Sequence, residues 1–335
     1  MAIYHLNYGT ISRSRGKTAV QHAAYITGLK LRETRRNLMV NHQRRQKNIV
    51  YTDTLTPASV VPAWGSDVDQ IWDRLESFED TYADTYYKTL ATQEKHKSCA
   101  QTAITIEVAL PRELSLDISK ELVEAFANTR FVSRGLVVTY AIYRGKSNPH
   151  AHFLISRRCL NEKGEFSWTK DREICKRLEI KVTRKLWADL TNYYLEREGF
   201  DDRITEKSFA ELGINLLPTK HQGGVAGALT AKGIASRLFF ENSEVMLENR
   251  LLLLKTPEVI MRELSARQAK FTQQDLWEAI QKRGEGDSRW AQSIFEGALQ
   301  FCVVTENTTY EDKTNKNTYY TSVYYREREK GMNHA

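Results

Sequence analysis

Hydrophobic and polar residues alternate along several stretches of this chain, most clearly over residues 102–110. A period of two places successive side chains on opposite faces of a β-strand, so the pattern predicts a strand here. Two more strands are predicted over residues 2–11 and 136–142, and the apolar, β-prone run at residues 153–155 predicts another that starts at His150. Because the turn signal Asn148-Pro149 separates the last two, they are expected to form an antiparallel hairpin. Shorter candidate strands lie at residues 48–54 and 166–169.

The segments between these strands read as helices. Residues 17–31 are rich in small residues, and residues 66–95 form a long acidic stretch that begins at Ser66-Asp67, residue types preferred at helix N-caps. A sheet of mostly antiparallel strands with helices on one side is an α+β architecture, which is the predicted fold class. Further helices are predicted from residue 111 to 127, over residues 171–198 and over residues 223–254.

The character of the sequence changes at Thr256-Pro257. Three helices are predicted after this point, followed by a β-hairpin, and this order is typical of a winged-helix module. An ordinary helical tail is the alternative. The pattern therefore predicts two domains, residues 1–255 and residues 256–335. The three helices are expected over residues 259–268, 273–282 and 290–299, and the hairpin strands over 301–305 and 319–325, around a polar loop at 307–317.

Charge adds a candidate partner. The chain has 335 residues, with 49 lysines and arginines against 42 aspartates and glutamates, which gives a formal net charge of +7. Residues 30–47 alone contain seven basic residues and one acidic residue, Glu33. So one-sided a block favours contact with nucleic acid or another polyanion, although a solvated loop is the alternative.

Several protein classes are disfavoured by composition. No apolar run approaches the roughly 18 residues that a membrane-spanning helix needs. The start of the chain reads as a strand rather than as a signal peptide. The four cysteines are scattered and form no CxxC motif, which argues against a zinc ribbon or a disulfide framework. We therefore expect a cytoplasmic protein without a membrane span.

His150 and His152 form a candidate metal site. Both imidazoles lie on one face of the predicted strand, with Cα atoms roughly 6.5 Å apart, a spacing that lets two rings converge on one ion. A third ligand is expected from a neighbouring strand. Tyr143 at the end of the facing strand and Glu107 on the strand before are the candidates. Two half-exposed histidines without a ligand are the alternative.

A basic protein with a divalent cation suggests phosphate chemistry. If a side chain attacks the phosphorus, the bond energy is kept in a covalent phosphodiester and can be returned. Tyrosine is capable of this attack, and the chain has 16 tyrosines. Tyr25 is favoured because it lies on the predicted small-residue helix, next to the basic segment. A packing role for Tyr25 is the alternative.

Taken together, these residues resemble the plasmid mobilisation relaxases of the MobA/MobL type. The similar blocks occur in order over roughly residues 1–235, and the block that contains Asn148-Pro149-His150-Ala151-His152 resembles the family's metal-binding block. The segment Leu264–Leu276 resembles the part of TraA-type transfer proteins that lies between their relaxase and helicase. The other similar blocks are residues 2–28, 107–114 and 203–223.

The resemblance implies an HUH-type relaxase fold, a palm-like antiparallel sheet with metal-binding histidines on a central strand and a tyrosine on a helix above. Relaxases of this family nick one DNA strand at a transfer origin, remain linked to the 5′ phosphate through the tyrosine, and rejoin the ends. Tyr25 matches the nucleophile, and His150 and His152 match two of three metal-binding histidines. Tyr143 stands where the family usually has the third, and Glu107 or His5 is the alternative third ligand.

The resemblance also implies further residues and partners. Glu107 is expected to be catalytic, and a divalent metal ion, Mg²⁺ or Mn²⁺, is the expected cofactor. The partners would be single-stranded or supercoiled DNA at a transfer origin, accessory transfer proteins and a type IV secretion coupling protein. The setting would be the bacterial cytoplasm, or the recipient cell after transfer with the DNA. The expected DNA-binding residues are Arg13, Arg15, Lys17, Arg35, Arg36, Arg44 and Arg45.

Two alternatives share much of this chemistry. A rolling-circle replication initiator also uses a tyrosine and a histidine pair, but its tyrosine usually follows the histidines, whereas Tyr25 precedes them. A catalytically impaired DNA-binding relative is the second alternative, and Tyr143 in place of a histidine is its only support.

Overall fold

The computed structural model describes residues 4–58, 67–144, 148–220, 229, 232–266, 271–284, 286–304 and 320–322. The chain divides into two compact units, Met1–Phe200 and Asp201–Ala335. This division lies ahead of the change in sequence character at residue 256, and the two functional domains expected from the sequence stay a prediction. No helix in the described part of the chain is long and apolar enough to cross a membrane.

The first unit is built on an antiparallel sheet with the strand order β1-β5-β7-β6-β4, and β8 pairs with β7 beyond this path. β6 and β7 pair directly, which confirms the predicted hairpin, and β7 is the central strand. The basic segment forms a separate small hairpin, β2 with β3, and is not a simple loop. The strands are β1 Leu6–Ser12, β2 Lys30–Glu33, β3 Leu38–Asn41, β4 Ile49–Leu55, β5 Gln101–Ala109, β6 Leu136–Arg144, β7 Pro149–Leu160 and β8 Phe166–Lys170.

Five helices of the described residues accompany this sheet, and two of the predicted helices end or divide differently in the structure. The helix expected over residues 17–31 ends at Thr27, because Gly28 takes a left-handed φ of 67° and a Cβ there would lie 2.9 Å from Ile49 Cδ1. The acidic helix expected over residues 66–95 is two helices, since Tyr87 adopts an extended conformation and Thr89 caps a new start. The helices are α1 Ala19–Thr27, α2 Val68–Tyr86, α3 Leu90–Cys99, α4 Leu116–Arg130 and α5 Arg177–Arg197.

Helices cover both faces of the sheet, which corrects the expectation of helices on one side. On one face, buried residues of α1 and α2 form a single core with the sheet, including Ala23, Trp72 and Leu154. On the other face, Phe153 contacts Phe126 of α4, which in turn contacts a buried tryptophan of α5. Because successive residues of β7 point to opposite faces, the even-numbered positions of this strand look towards α1.

A buried carboxylate fixes the first turn of α1. Glu76 of α2 is fully buried and accepts hydrogen bonds from Ala19 N at 2.7 Å and from Arg13 Nε at 2.8 Å. A negative charge beside the amino end of a helix is favourable, and Thr18 with Gln21 completes a capping box. Arg13 is buried and also pairs with Asp80. The prediction that Arg13 contacts DNA is therefore wrong, because its guanidinium is buried and pairs with carboxylates inside the protein.

The second unit has the predicted order of helices followed by a hairpin. Its core includes Ile260, Phe271, Leu276 and Ile294, all nearly inaccessible to solvent. The predicted polar loop at 307–317 and the predicted helix start at Gly223-Gly224 lie outside the described residues. The elements are α6 Arg237–Lys255, α7 Glu258–Ser265, α8 Gln273–Gly284, α9 Ser288–Leu299, β9 Cys302–Val304 and β10 Tyr320–Ser322, and the last two pair antiparallel.

Replacing Glu76 with glutamine should destabilise the first unit by about 3–5 kcal/mol, because it removes the charge that balances the buried Arg13. The measurement is urea unfolding followed by near-UV circular dichroism. Glu94→Gln is the matched control, since Glu94 is exposed and pairs only with Lys97 at the surface. Equal midpoints for the two variants would contradict the role assigned to Glu76.

Candidate active site

The register of the central strands brings three metal-binding residue types together. His152 on β7 lies opposite Glu107 on β5. His150 is two positions earlier on β7 and therefore points to the same face. One ligand atom from each of Glu107, His150 and His152 lies within 4.8 Å of the others, and all three residues are half-buried. Glu107 therefore lies beside the two histidines, in the place where the sequence requires a third ligand.

The protonation of these side chains suits a divalent cation. Burial, together with the neighbouring His150, lowers the pKa of His152 to about 3, so its imidazole is neutral at physiological pH. His150 donates from Nδ1 to the carbonyl oxygen of Asn148 at 2.8 Å, which leaves Nε2 free to bind. Two imidazoles and one carboxylate match the ligand sets that proteins use for divalent transition metals. These residues fit a metal ion.

Tyr143 makes contacts that argue against its predicted role as the third ligand. It lies opposite His150 on β6 and its ring stacks on the imidazole, with centroids 5.0 Å apart. Its hydroxyl donates towards the carbonyl oxygens of Ile26 at 2.7 Å and Tyr25 at 3.2 Å, at the last turn of α1. Burial raises the pKa of Tyr143, so the phenol is neutral and a poor metal ligand.

Tyr25 lies on the last turn of α1, directly above the histidines. Its ring is half-buried and meets His152 edge to face, with ring centroids 6.3 Å apart. Arg45 covers the other side, with Cζ 3.7 Å from the centre of the Tyr25 ring, and its Nε donates to the Tyr25 carbonyl oxygen at 3.1 Å. A cation at the carboxyl end of a helix is favourable, so Arg45 stabilises both the helix end and the ring.

A cleft of about 550 Å³ opens between α1 and strands β1 and β5, and we call it the tyrosine cleft. Tyr25, His152 and Glu107 line it. Sequence reasoning missed two residues here. His22 lies three positions before Tyr25 on the same helix face, a spacing that the sequence already contains. His42 meets the Tyr25 ring edge to face at 5.6 Å, and no local pattern marks it. The other lining residues are Asn7, Ile11, Lys17, Thr18, Gln21, Val40, Thr105 and Ile106.

Some of the basic residues predicted to contact DNA lie at the tyrosine cleft, and others lie next to carboxylates of the protein itself. Lys17 lines the tyrosine cleft and Arg45 lies over Tyr25. Arg35 pairs with Asp80 at 2.6 Å, and Arg36 lies 3.8 Å from the buried Glu33. Arg15 and Arg44 are exposed. Contact with DNA stays a prediction for all six of these residues.

Removing the Tyr143 hydroxyl should loosen α1 without weakening metal binding. Tyr143→Phe leaves the carbonyl oxygens of Tyr25 and Ile26 without that donor, which costs about 1–3 kcal/mol in unfolding free energy. Calorimetric titration with Mn²⁺ should give an unchanged affinity. Tyr193→Phe, at an exposed site on α5, is the control for stability. If Tyr143→Phe bound Mn²⁺ more weakly while its stability was normal, Tyr143 would have to be a metal ligand.

Residues 17–232, more than half of the chain, match the model of the MobA/MobL family. The chain is 26% identical over 317 residues to the Conjugal transfer protein TraA of Agrobacterium fabrum, a match that covers 84% of this chain and 27% of that protein. It is 30% identical over 251 residues to Mobilization protein A of Escherichia coli, which covers 70% of this chain and 31% of that protein. The chain thus spans about a quarter of the length of the TraA relatives that it matches.

A solved structure described as "Molecular Basis of Vancomycin Resistance Transfer in Staphylococcus aureus" has the same fold. It superposes with a TM-score of 0.53 at 23% identity and covers 62% of this chain and 100% of its own. At this level of identity the similarity concerns the fold alone.

Proposed function

The chain belongs to the MobA/MobL family of mobilisation relaxases, and we propose that it nicks and rejoins one strand of DNA at a transfer origin through a covalent link to Tyr25. The observation that carries the proposal is the position of Tyr25, whose ring meets His152 beside the Glu107-His150-His152 cluster in an open cleft. A nucleophile and a cation site that face one cleft are the two parts that phosphoryl transfer needs.

The proposed reaction exchanges one phosphodiester for another. The Tyr25 oxygen attacks the scissile phosphorus and its phenolic proton leaves to solvent in the cleft. The bond from phosphorus to the 3′ oxygen breaks, and the 3′ oxygen takes up a proton from solvent. The released strand ends in a 3′ hydroxyl, while the 5′ phosphate stays on Tyr25. Attack by that hydroxyl reverses the step, because no bond energy has been lost to water. A divalent cation held by the cluster would polarise the phosphate.

Arg45 has a defined place in this proposal. Its guanidinium lies over the Tyr25 ring and is therefore close to the negative charge that the phenol oxygen gains when it loses its proton. Lys17, which lines the same cleft, is proposed to contact a neighbouring phosphate. Glu107, expected from the sequence to be catalytic, is proposed here as a ligand of the cation.

The position of Tyr143 weakens the alternative of an impaired relative. The alternative of a catalytically impaired relative was supported only by Tyr143, a phenol in place of a metal-binding histidine. Because the Tyr143 hydroxyl donates to carbonyl oxygens of α1 and Glu107 lies next to the histidines, the ligand set does not need Tyr143.

By similarity to a conjugal transfer protein, we further propose that the chain works in the bacterial cytoplasm with accessory transfer proteins and a secretion coupling protein.

Tyr25→Phe should abolish the covalent adduct and leave DNA binding within about two-fold, because the ring still packs and only the hydroxyl is lost. The assay incubates the protein with supercoiled DNA from the region that flanks its own gene and detects a denaturant-resistant complex on a gel. Tyr193→Phe, on an exposed part of α5, should form the adduct normally. Normal adduct yield from Tyr25→Phe would exclude Tyr25 as the nucleophile.

His152→Ala and Glu107→Gln should each weaken Mn²⁺ binding by on the order of 100-fold and remove metal-dependent cleavage. The first removes a ligand nitrogen, and the second replaces a charged carboxylate with a neutral amide. Calorimetric titration measures the binding directly. His5→Ala is the control, because His5 is exposed and lies outside the ligand cluster. If all three variants bound Mn²⁺ like the unchanged protein, the metal site would be wrong.

A further inference from the structure

Four aromatic rings cluster where the end of α2 meets the edge strand β8, and we call Tyr82, Tyr86, Tyr87 and Trp168 the aromatic platform. Tyr82 and Tyr86 stack with ring centroids 5.1 Å apart and an interplanar angle of 12°. Trp168 meets Tyr82 at 5.4 Å, and Tyr87 meets Tyr86 edge to face at 5.2 Å. Tyr86 is 64% exposed and Trp168 is 50% exposed. The platform therefore presents flat ring surface to solvent.

Positive charge surrounds the platform. A pocket of about 210 Å³ is lined by Tyr82, Trp168, Arg158, Lys170 and Arg172, among others. The Arg158 guanidinium lies 4.2 Å from the centre of the Tyr82 ring and holds that ring in place.

The charges around the pocket do not cancel. Glu79 is fully buried and pairs with both Arg158 and Lys170. Arg172 is exposed, and no carboxylate lines the pocket. The nearby Asp84 pairs with Lys97 at 2.7 Å. The pocket is therefore left with an excess of positive charge next to the exposed rings.

The platform is separate from the tyrosine cleft, since none of its rings lines that cleft. Arg158 and His152 lie on the same strand, six positions apart, which corresponds to about 20 Å. The α2 helix, which carries Tyr82 and Tyr86, packs against α1. A single DNA strand that leaves the tyrosine cleft along this face would thus meet the platform.

We propose that the aromatic platform is a binding subsite for unpaired bases of single-stranded DNA, with Arg172 contacting the backbone phosphate. Exposed rings next to unbalanced cations are the combination that binds single strands without sequence preference. A duplex keeps its base faces stacked inside, so it cannot use these rings. The link to the tyrosine cleft rests on the proposed function, but single-strand binding is measurable without any nicking.

The fluorescence of Trp168 itself reports binding of single-stranded DNA in the test. Of the six tryptophans, Trp168 is half exposed, whereas Trp72 and Trp187 are fully buried. A 20-nucleotide oligo(dT) should quench the fluorescence of the full chain. Trp168→Phe should lose most of this quenching and keep its affinity within about three-fold, because a phenyl ring still stacks. Trp168→Ala should bind about ten-fold more weakly, in line with the loss of one stacked base.

Two further variants separate stacking from general surface effects. Arg172→Ala should lower the slope of log affinity against log salt by roughly 0.7, which corresponds to one phosphate contact on a single strand. Tyr193→Ala removes an equally exposed ring from α5 and should bind oligo(dT) normally. Urea unfolding checks that each variant is folded. Unchanged affinity of Trp168→Ala, or an equal loss of affinity for a duplex of the same length, would overturn the proposal.

Failure of this proposal and failure of the relaxase proposal give different results. If the unchanged protein forms the covalent adduct while Trp168→Ala binds oligo(dT) normally, the platform is wrong and the relaxase stands. If oligo(dT) quenches Trp168 but no adduct forms on any DNA, the platform stands and the relaxase is wrong.

Discussion

The position of α1 on the sheet depends on hydrogen bonds at both of its ends. A helix of nine residues is marginal on its own, because few intrahelical bonds offset the cost of starting it. Glu76 accepts the Ala19 amide at the first turn, while Tyr143 and Arg45 donate to carbonyl oxygens at the last turn. Tyr25 lies on that last turn, so the groups that satisfy the helix end also fix the proposed nucleophile.

The strand register places the metal-binding types beneath this helix. β7 pairs with β5 on one side and β6 on the other, so His152 has Glu107 as its neighbour and His150 has Tyr143. A slip of one residue would turn every side chain of β7 to the opposite face, away from α1. Phe153, on that opposite face, packs against Phe126 of α4 and holds the register by burial.

Buried carboxylates decide which cations are available at the surface. Glu76 forms an ion pair with Arg13, and Glu79 forms ion pairs with Arg158 and Lys170. Although burial by itself raises the pKa of Glu79, hydrogen bonds from His96 and Arg158 hold it well below its usual range, so the charge persists. The net charge of the chain therefore overstates the number of arginines that can meet DNA.

The sequence by itself determined the strands, the hairpin that carries His150 and His152, and the family blocks around Tyr25, because alternation, turn residues and short motifs are local. It did not determine where α1 ends or that Arg13 is buried, since both depend on residues far along the chain, Ile49 for Gly28 and Glu76 for Arg13. The choice between Tyr143 and Glu107 was also left open. Only the tertiary structure favours Glu107, because the direction of each side chain follows from strand pairing and from the helix above.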